Sequence, residues 1–262
     1  MNQVEAMNQR MVGRQTGSVL GAPIDALTWD RALELVTGWG AARESRYICI
    51  CNVHSVVTAA QEPPFARVLA EADLCTPDGA PVAWMLRRVG YAHQQRINGP
   101  DLMWKYLALA EAQCQVVSFY GGSAATLDLL LARIRAVFPR IRIGVAISPP
   151  FRKLSAEEDA ADVQHINDCG TAVLFVGLGC PKQEHWMADH RGAVSSVMIG
   201  VGAAFDYHAG TIQRAPLWMQ RSGLEWLHRL ASEPRRLWRR YLVTNSIFIA
   251  QAARQLLLGR PR

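Results

Sequence analysis

Asp78, in Pro77-Asp78-Gly79, has the setting of a proton acceptor: a carboxylate on a glycine-flanked turn directly after the short apolar run Leu74-Cys-Thr76. Such a group takes a proton from an incoming nucleophile, or it bonds its own backbone as an ordinary turn residue; spacing alone leaves both open. Two glycine clusters suit a phosphorylated ligand. Gly177-Leu-Gly179-Cys-Pro181 leads into Lys182-Gln183-Glu184, where glycines let backbone come close to a ligand and the first N–H groups of a helix meet a phosphate. The same glycines equally make a tight strand-to-helix turn. Gly200-Val-Gly202-Ala-Ala-Phe-Asp206 repeats the pattern and ends in a carboxylate that accepts from a nucleoside or caps a helix. Asn52, after Tyr47-Ile-Cys-Ile-Cys51, reads as a helix N-cap or a ligand amide. Neither cluster is a dinucleotide fingerprint, because the third glycine place holds Lys182 in one and Phe205 in the other. Hydride chemistry with a nicotinamide, and with it a nucleotide-sugar epimerase or dehydrogenase, loses its support.

These residues need a scaffold that brings strand ends together. Apolar, β-rich runs at Tyr47–Cys51, Leu74–Thr76, Val116–Tyr120, Ile141–Ile147, Ala172–Val176 and Val197–Val201 alternate with helical periods at 54–72, 80–112, 123–138, 155–168 and 181–190. Ser155-Ala-Glu-Glu158 has capping-box spacing, and Pro139 and Gly170 stop two of the helices. The pattern predicts an α/β fold with a mainly parallel, Rossmann-like sheet covered by helices on both faces. Such sheets bind ligands at the carboxyl ends of their strands, where the clusters above lie. Past Arg214 the pattern turns purely helical, at 216–220, 224–231 and 234–258, with Leu237, Tyr241, Thr244 and Phe248 on one stripe of the last helix. The expected organisation is a flexible tail over 1–19, an α/β core over 20–213 and a basic helical appendage over 214–262.

The chain has 262 residues, half of them hydrophobic, enough for one large core and unlike a disordered composition. Its net charge of +6 is uneven: residues 214–262 carry ten arginines against two glutamates, a balance of +8, while the rest stands at −2. A cationic end on a neutral body calls for an anionic partner. The pairs Trp218/Arg221, Trp226/Arg229 and Trp238/Arg239 suit a membrane surface, with Trp at headgroup depth and Arg on phosphate, or else solvated faces packed on the body. Tyr241–Ala253 is the longest charge-free stretch there, with 13 residues, too short to span a bilayer, which takes about 20. Met1–Ser18 lacks the apolar core of a signal peptide, so export is not expected. The six cysteines form no CxxC or zinc spacing, which fits buried free thiols in a reducing cytoplasm.

Together the clusters resemble the WecG/TagA/CpsF family of bacterial glycosyltransferases, glycosyltransferase family 26. The resemblance runs through Asn52, Ala72-Asp73 with Pro77-Asp78-Gly79, Arg96 through Gly99 to Asp101-Leu102, and Phe119-Tyr-Gly121-Gly122. It continues through Pro149-Pro-Phe151, Gly177 to Glu184, Gly200 to Asp206, Arg214-Ala-Pro216 and Gly223-Leu-Glu-Trp-Leu-His-Arg229. It implies inverting transfer of a sugar from a UDP-sugar, such as UDP-N-acetylmannosamine, its uronic acid or UDP-glucose, without an essential metal or cofactor. The acceptor it implies is a polyprenyl-diphosphate-linked saccharide of cell-surface or exopolysaccharide biosynthesis, met by a peripheral enzyme on the inner face of the membrane. On this footing Asp78 is the base, and Asn52, Arg96, Gly121, Gly122, Gly179, Gln183, Glu184 and Asp206 bind substrate. Arg214, Arg229, Arg235 and Arg236 are the candidates to hold a diphosphate in place of a metal, and the chain has no DxD carboxylate pair. Family members often carry Thr two positions before the Asn52 equivalent, where this chain has Ile50; any role of that hydroxyl is absent or filled otherwise. The resemblance leaves a homo-oligomer open and implies no nucleic-acid partner. The competing reading, a nucleic-acid-binding α/β protein using the Arg/Trp tail, leaves the strand-end clusters without a purpose.

Overall fold

The computed structural model describes residues 14–259. An antiparallel hairpin, β1 (Thr16–Val19) and β2 (Ala22–Asp25), precedes helix α1 (Trp29–Ala41). Then follow β3 (Arg46–Cys51), α2 (Val53–Gln61), α3 (Pro63–Glu71), β4 (Leu74–Pro77), α4 (Ala80–Arg88), α5 (Gly99–Ala112), β5 (Val116–Gly121) and α6 (Ala124–Val137). The remainder comprises β6 (Arg142–Ile147), α7 (Ala156–Asp168), β7 (Val173–Gly177), α8 (Lys182–Asp189), β8 (Val197–Gly200), α9 (Ala204–Ala209), α10 (Leu217–Arg221), α11 (Glu225–Ser232) and α12 (Pro234–Leu257). Strands β3 to β8 form one six-stranded parallel sheet in the order β4-β3-β8-β7-β5-β6, as the alternation predicts.

The central strands read as unbroken apolar runs because both faces are covered. Along β7, Val173 and Phe175 join one core with Ile48, Ile199, Leu102 and Leu130, while Leu174 and Val176 join another with Cys49, Met198, Val56 and Met187. The two-residue period of a strand thus feeds both layers.

Several expected boundaries shift. The helix expected over 54–72 breaks at Pro63, which opens α3, and the one over 80–112 breaks into α4 and α5, with Asn98 capping the latter. The hairpin, α1 and α9 were not expected. The flexible tail expected over 1–19 is not found at residues 14–19: Arg14 forks onto Asp25, with Nη2 2.7 Å from Oδ2, and Thr16–Val19 form a strand, while residues 1–13 lie outside those described. Cys49, Cys51 and Cys75 are buried, but Cys114 and Cys169 are exposed beside helix C-termini rather than in the core. Asp25 takes the Cys75 N–H at 2.6 Å, and burial pushes its carboxyl up to about 6 against the pull of Arg14.

The last helix belongs to the body. Phe248 and Ala252 bury against Val56 and Val57 of α2, and Leu237 and Thr244 of the expected stripe are buried too. Near its C-terminal end Gln255 accepts the Leu20 N–H at 2.9 Å and donates to the Ser18 carbonyl at 2.7 Å, clamping the hairpin. Among the described residues, no helix is long and apolar enough to cross a membrane.

Candidate active site

At the carboxyl edge of the sheet lies a cleft of about 1620 Å³, larger than the 300–1,000 Å³ typical of a single small-ligand site. The ends of β3, β4, β5, β7 and β8 form its floor, and α11 and α12 form one wall. Of the expected residues, Asn52, Asp78, Arg96, Gly122, Gly179, Gln183, Glu184, Asp206 and Arg229 line it. Gly121 lies just beneath. Its φ is +115°, and a Cβ there would sit 2.6 Å from the Gly177 carbonyl carbon, so glycine is required for β5 to meet β7.

Asp78 is set by its backbone: its N–H bonds the Cys51 carbonyl at 2.8 Å, and Gly79, at φ +85°, turns the chain into α4. The Ile97 N–H reaches the Pro77 carbonyl at 2.9 Å, which lays Arg96 beside the carboxylate, and Arg96 Nε donates to Asp78 Oδ1 at 3.0 Å. Burial, with a smaller push from Glu225, raises the Asp78 pKa above the ordinary carboxylate value despite Arg96.

Asn52 is the N-cap of α2: its Oδ1 accepts the Ser55 N–H at 3.2 Å. The amide of this residue also faces the cleft, so both readings of it meet at one position. Gln183 is committed to the scaffold. Its oxygen accepts the N–H groups of Gly179 and Gly202, both at 3.1 Å, and its Nε2 donates to Glu184 Oε1 at 3.0 Å. Glu184 is 1% exposed, its Oε2 has no hydrogen-bond partner, and burial pushes it up to about 7. Asp206, in the first turn of α9, holds the Thr211 hydroxyl at 3.2 Å. Ile50, the position where the family resemblance leads one to expect a threonine, lines the cleft with a hydrocarbon side chain.

The arginines of the basic end divide. Arg229 lines the cleft, donates to the Tyr207 hydroxyl at 3.1 Å and lies 5.5 Å over its ring. Arg214 is not in the lining: it forks onto Asp101 at 2.5 and 3.1 Å and touches Glu225 at 3.3 Å. Arg235 is exposed away from the cleft, and the Arg236 side chain lies outside the described residues. Sequence reasoning missed Arg240, which lines the cleft and whose Nε, like that of Arg229, is buried without a hydrogen-bond partner. It missed Glu225 as well, whose Oε2 lies 2.5 Å from Arg96 Nη2. Nothing in a run of arginines marks which one turns inward. A buried donor with no partner among the described residues calls for an acceptor from water or a ligand, and two such Nε groups lining the same cleft as the Asp78 carboxylate suit an anionic leaving group and a proton transfer.

The model of the "Glycosyl transferase WecG/TagA/CpsF family" matches residues 17–262. The chain is 33% identical over 197 residues to a protein of Bacillus spizizenii (strain ATCC 23059 / NRRL B-14472 / W23), named N-acetylglucosaminyldiphosphoundecaprenol N-acetyl-beta-D-mannosaminyltransferase; the match covers 75% of this chain and 74% of the relative. A Bacillus subtilis (strain 168) protein of the same name is 29% identical over 196 residues, or 74% of each chain.

Proposed function

The chain belongs to the WecG/TagA/CpsF family of glycosyltransferases, and from that premise we propose that it moves N-acetylmannosamine from UDP to a polyprenyl-diphosphate-linked N-acetylglucosamine. The observation that carries this reading is the pairing, in one cleft, of Asp78 with the partnerless Nε groups of Arg229 and Arg240. Asp78 takes the proton of the acceptor hydroxyl as that oxygen attacks the anomeric carbon. The bond to the UDP oxygen breaks on the opposite face, so the configuration inverts. Negative charge grows on the departing diphosphate, where fixed cations and N–H groups are worth most in a site that excludes water. Arg229, Arg240, Lys182 and the N–H groups of the two glycine loops supply them, and the reaction runs without a metal. Gln183 holds those loops, and Glu184 and Asp206 receive hydroxyl or N–H groups of the donor.

The acceptor is a membrane lipid, so the face around the cleft must meet a bilayer. Leu217, Trp218, Trp238, Leu242 and Ile249 are 67%, 63%, 55%, 62% and 68% exposed on the helices that carry the arginines. This surface seats the enzyme peripherally on anionic lipid at the inner face of the membrane. The nucleic-acid reading is set aside because Arg229 and Arg240 face inward to the cleft. The test is to incubate the full chain with UDP-N-acetylmannosamine, its uronic acid and UDP-glucose, a short polyprenyl-diphosphate N-acetylglucosamine, and chelator. Expected are a product heavier by one N-acetylhexosamine and an inverted anomeric centre. No transfer from any donor, or a strict need for magnesium or manganese, would overturn the corresponding part.

A further inference from the structure

Nothing in the sugar-transfer scheme asks for a carboxylate from the C-terminal helices, yet Glu225 brings one to the base. Arg96 spans the gap: its Nε is 3.0 Å from Asp78 Oδ1 and its Nη2 is 2.5 Å from Glu225 Oε2. Behind Glu225, Oε1 lies 3.3 Å from Arg214 Nε, and Arg214 is forked onto Asp101. Five groups therefore alternate in sign from the base outward: Asp78, Arg96, Glu225, Arg214, Asp101. The Asp78, Arg96 and Glu225 side chains are only 19%, 21% and 15% exposed, so water and salt screen them less than a surface pair.

We propose that Glu225 is a positioning residue of the transfer reaction, sharing the Arg96 guanidinium with Asp78 so that Asp78 is a competent base only when α11 is docked. The proposal rests on the reading of Asp78 as the base. Arg96 paired with Asp78 alone favours the ionised carboxylate and makes it a poor proton acceptor. A second carboxylate on the same guanidinium divides that pull and adds the repulsion of a like charge. Among the described residues, the charged groups that act on Asp78 are Arg96, from the segment before α5, and Glu225, from α11; on its own turn it meets the Gly79 N–H. Glu225 in turn faces Arg96, Arg214 and the Tyr207 hydroxyl of α9. Docking of the C-terminal helices and basicity of the base thus become one event.

The test is the pH profile of kcat/KM for the full chain, with UDP-N-acetylmannosamine and the short polyprenyl-diphosphate acceptor. Glu225→Gln is expected to move the acidic limb down by about one pH unit and to lower plateau kcat by about tenfold. Arg214→Gln leaves the Glu225 charge uncompensated and is expected to move the same limb up. Opposite displacements are something a merely structural brace does not produce. Should one variant not fold, the direction of the other decides. Limbs that coincide with wild type overturn the proposal. Asp78→Asn in the same assay separates the two readings: if it keeps full turnover, the base assignment falls and takes this proposal with it. If it abolishes turnover while the Glu225 and Arg214 limbs stay put, only this proposal falls.

Discussion

The side-chain oxygen of Gln183 accepts the Gly202 N–H at 3.1 Å, so a residue on α8 fixes the loop that follows β8 while also holding Gly179 after β7. Each of these bonds is worth about 1 kcal/mol. Gln183→Leu is therefore expected to loosen both glycine loops and to weaken UDP binding by about tenfold, as titration calorimetry would report. An unchanged UDP affinity would show that the loops keep their shape unaided.

Asp78→Asn keeps the size and the Cys51 hydrogen bond of this position but takes no proton. Turnover is expected to fall by about 100- to 10,000-fold, with UDP affinity and melting temperature close to wild type. Turnover within about threefold of wild type would leave Asp78 as a turn residue.

Glu184 titrates at about 7 in the folded protein, above the ordinary glutamate range. The fold binds this proton more tightly than the unfolded chain does. Its contribution to stability is therefore full at acid pH and is lost as pH rises through about 7. Glu184→Gln removes that loss: the variant is expected to melt above wild type at about pH 8, with the gap closing toward about pH 5. A gap independent of pH would show that Glu184 is not the group responsible.

Replacing Trp218 and Trp238 together by Ser is expected to reduce sedimentation with anionic vesicles while leaving transfer to a water-soluble acceptor analogue unchanged. Neither indole lines the cleft, and each arginine near such a surface still contributes about 1 kcal/mol. Vesicle binding equal to wild type would move the membrane face elsewhere. Deleting residues from 214 on is a poorer probe, because Phe248 and Ala252 are part of the core and their removal would bare α2.

The sheet was legible because its strands are apolar runs that need no partner to be recognised, and the strand-end clusters followed from it. The hairpin was not: four-residue strands separated by Gly21 and containing Pro23 carry little β signal, and the residue that clamps it from outside, Gln255, lies 235 residues from Leu20. Gly38 and Gly40 hid α1, although Thr28 caps it. Pro63 was a readable stop that the helical period overrode. In the site, Asn52, Asp78 and Asp206 could be named from their place after strands. Glu225 and Arg240 could not, since their roles come from how α11 and α12 are folded back onto the sheet, and Gln183 was visible while its three hydrogen bonds were not.

The clamp of Gln255 on Ser18 has a consequence in time. A ribosome delivers the hairpin first, then the sheet with its glycine loops and Asp78, and only much later Glu225, Arg240 and the helix that returns to the hairpin. The half of the cleft that the proposed function gives to the donor is thus encoded upstream of Glu225, Arg240 and the exposed Trp and Leu side chains of the C-terminal helices. On the proposed reading, a nascent chain holding the first half has the glycine loops and Asp78 but neither Glu225 nor Arg240, so chemistry would begin only once distant parts of the polypeptide have met.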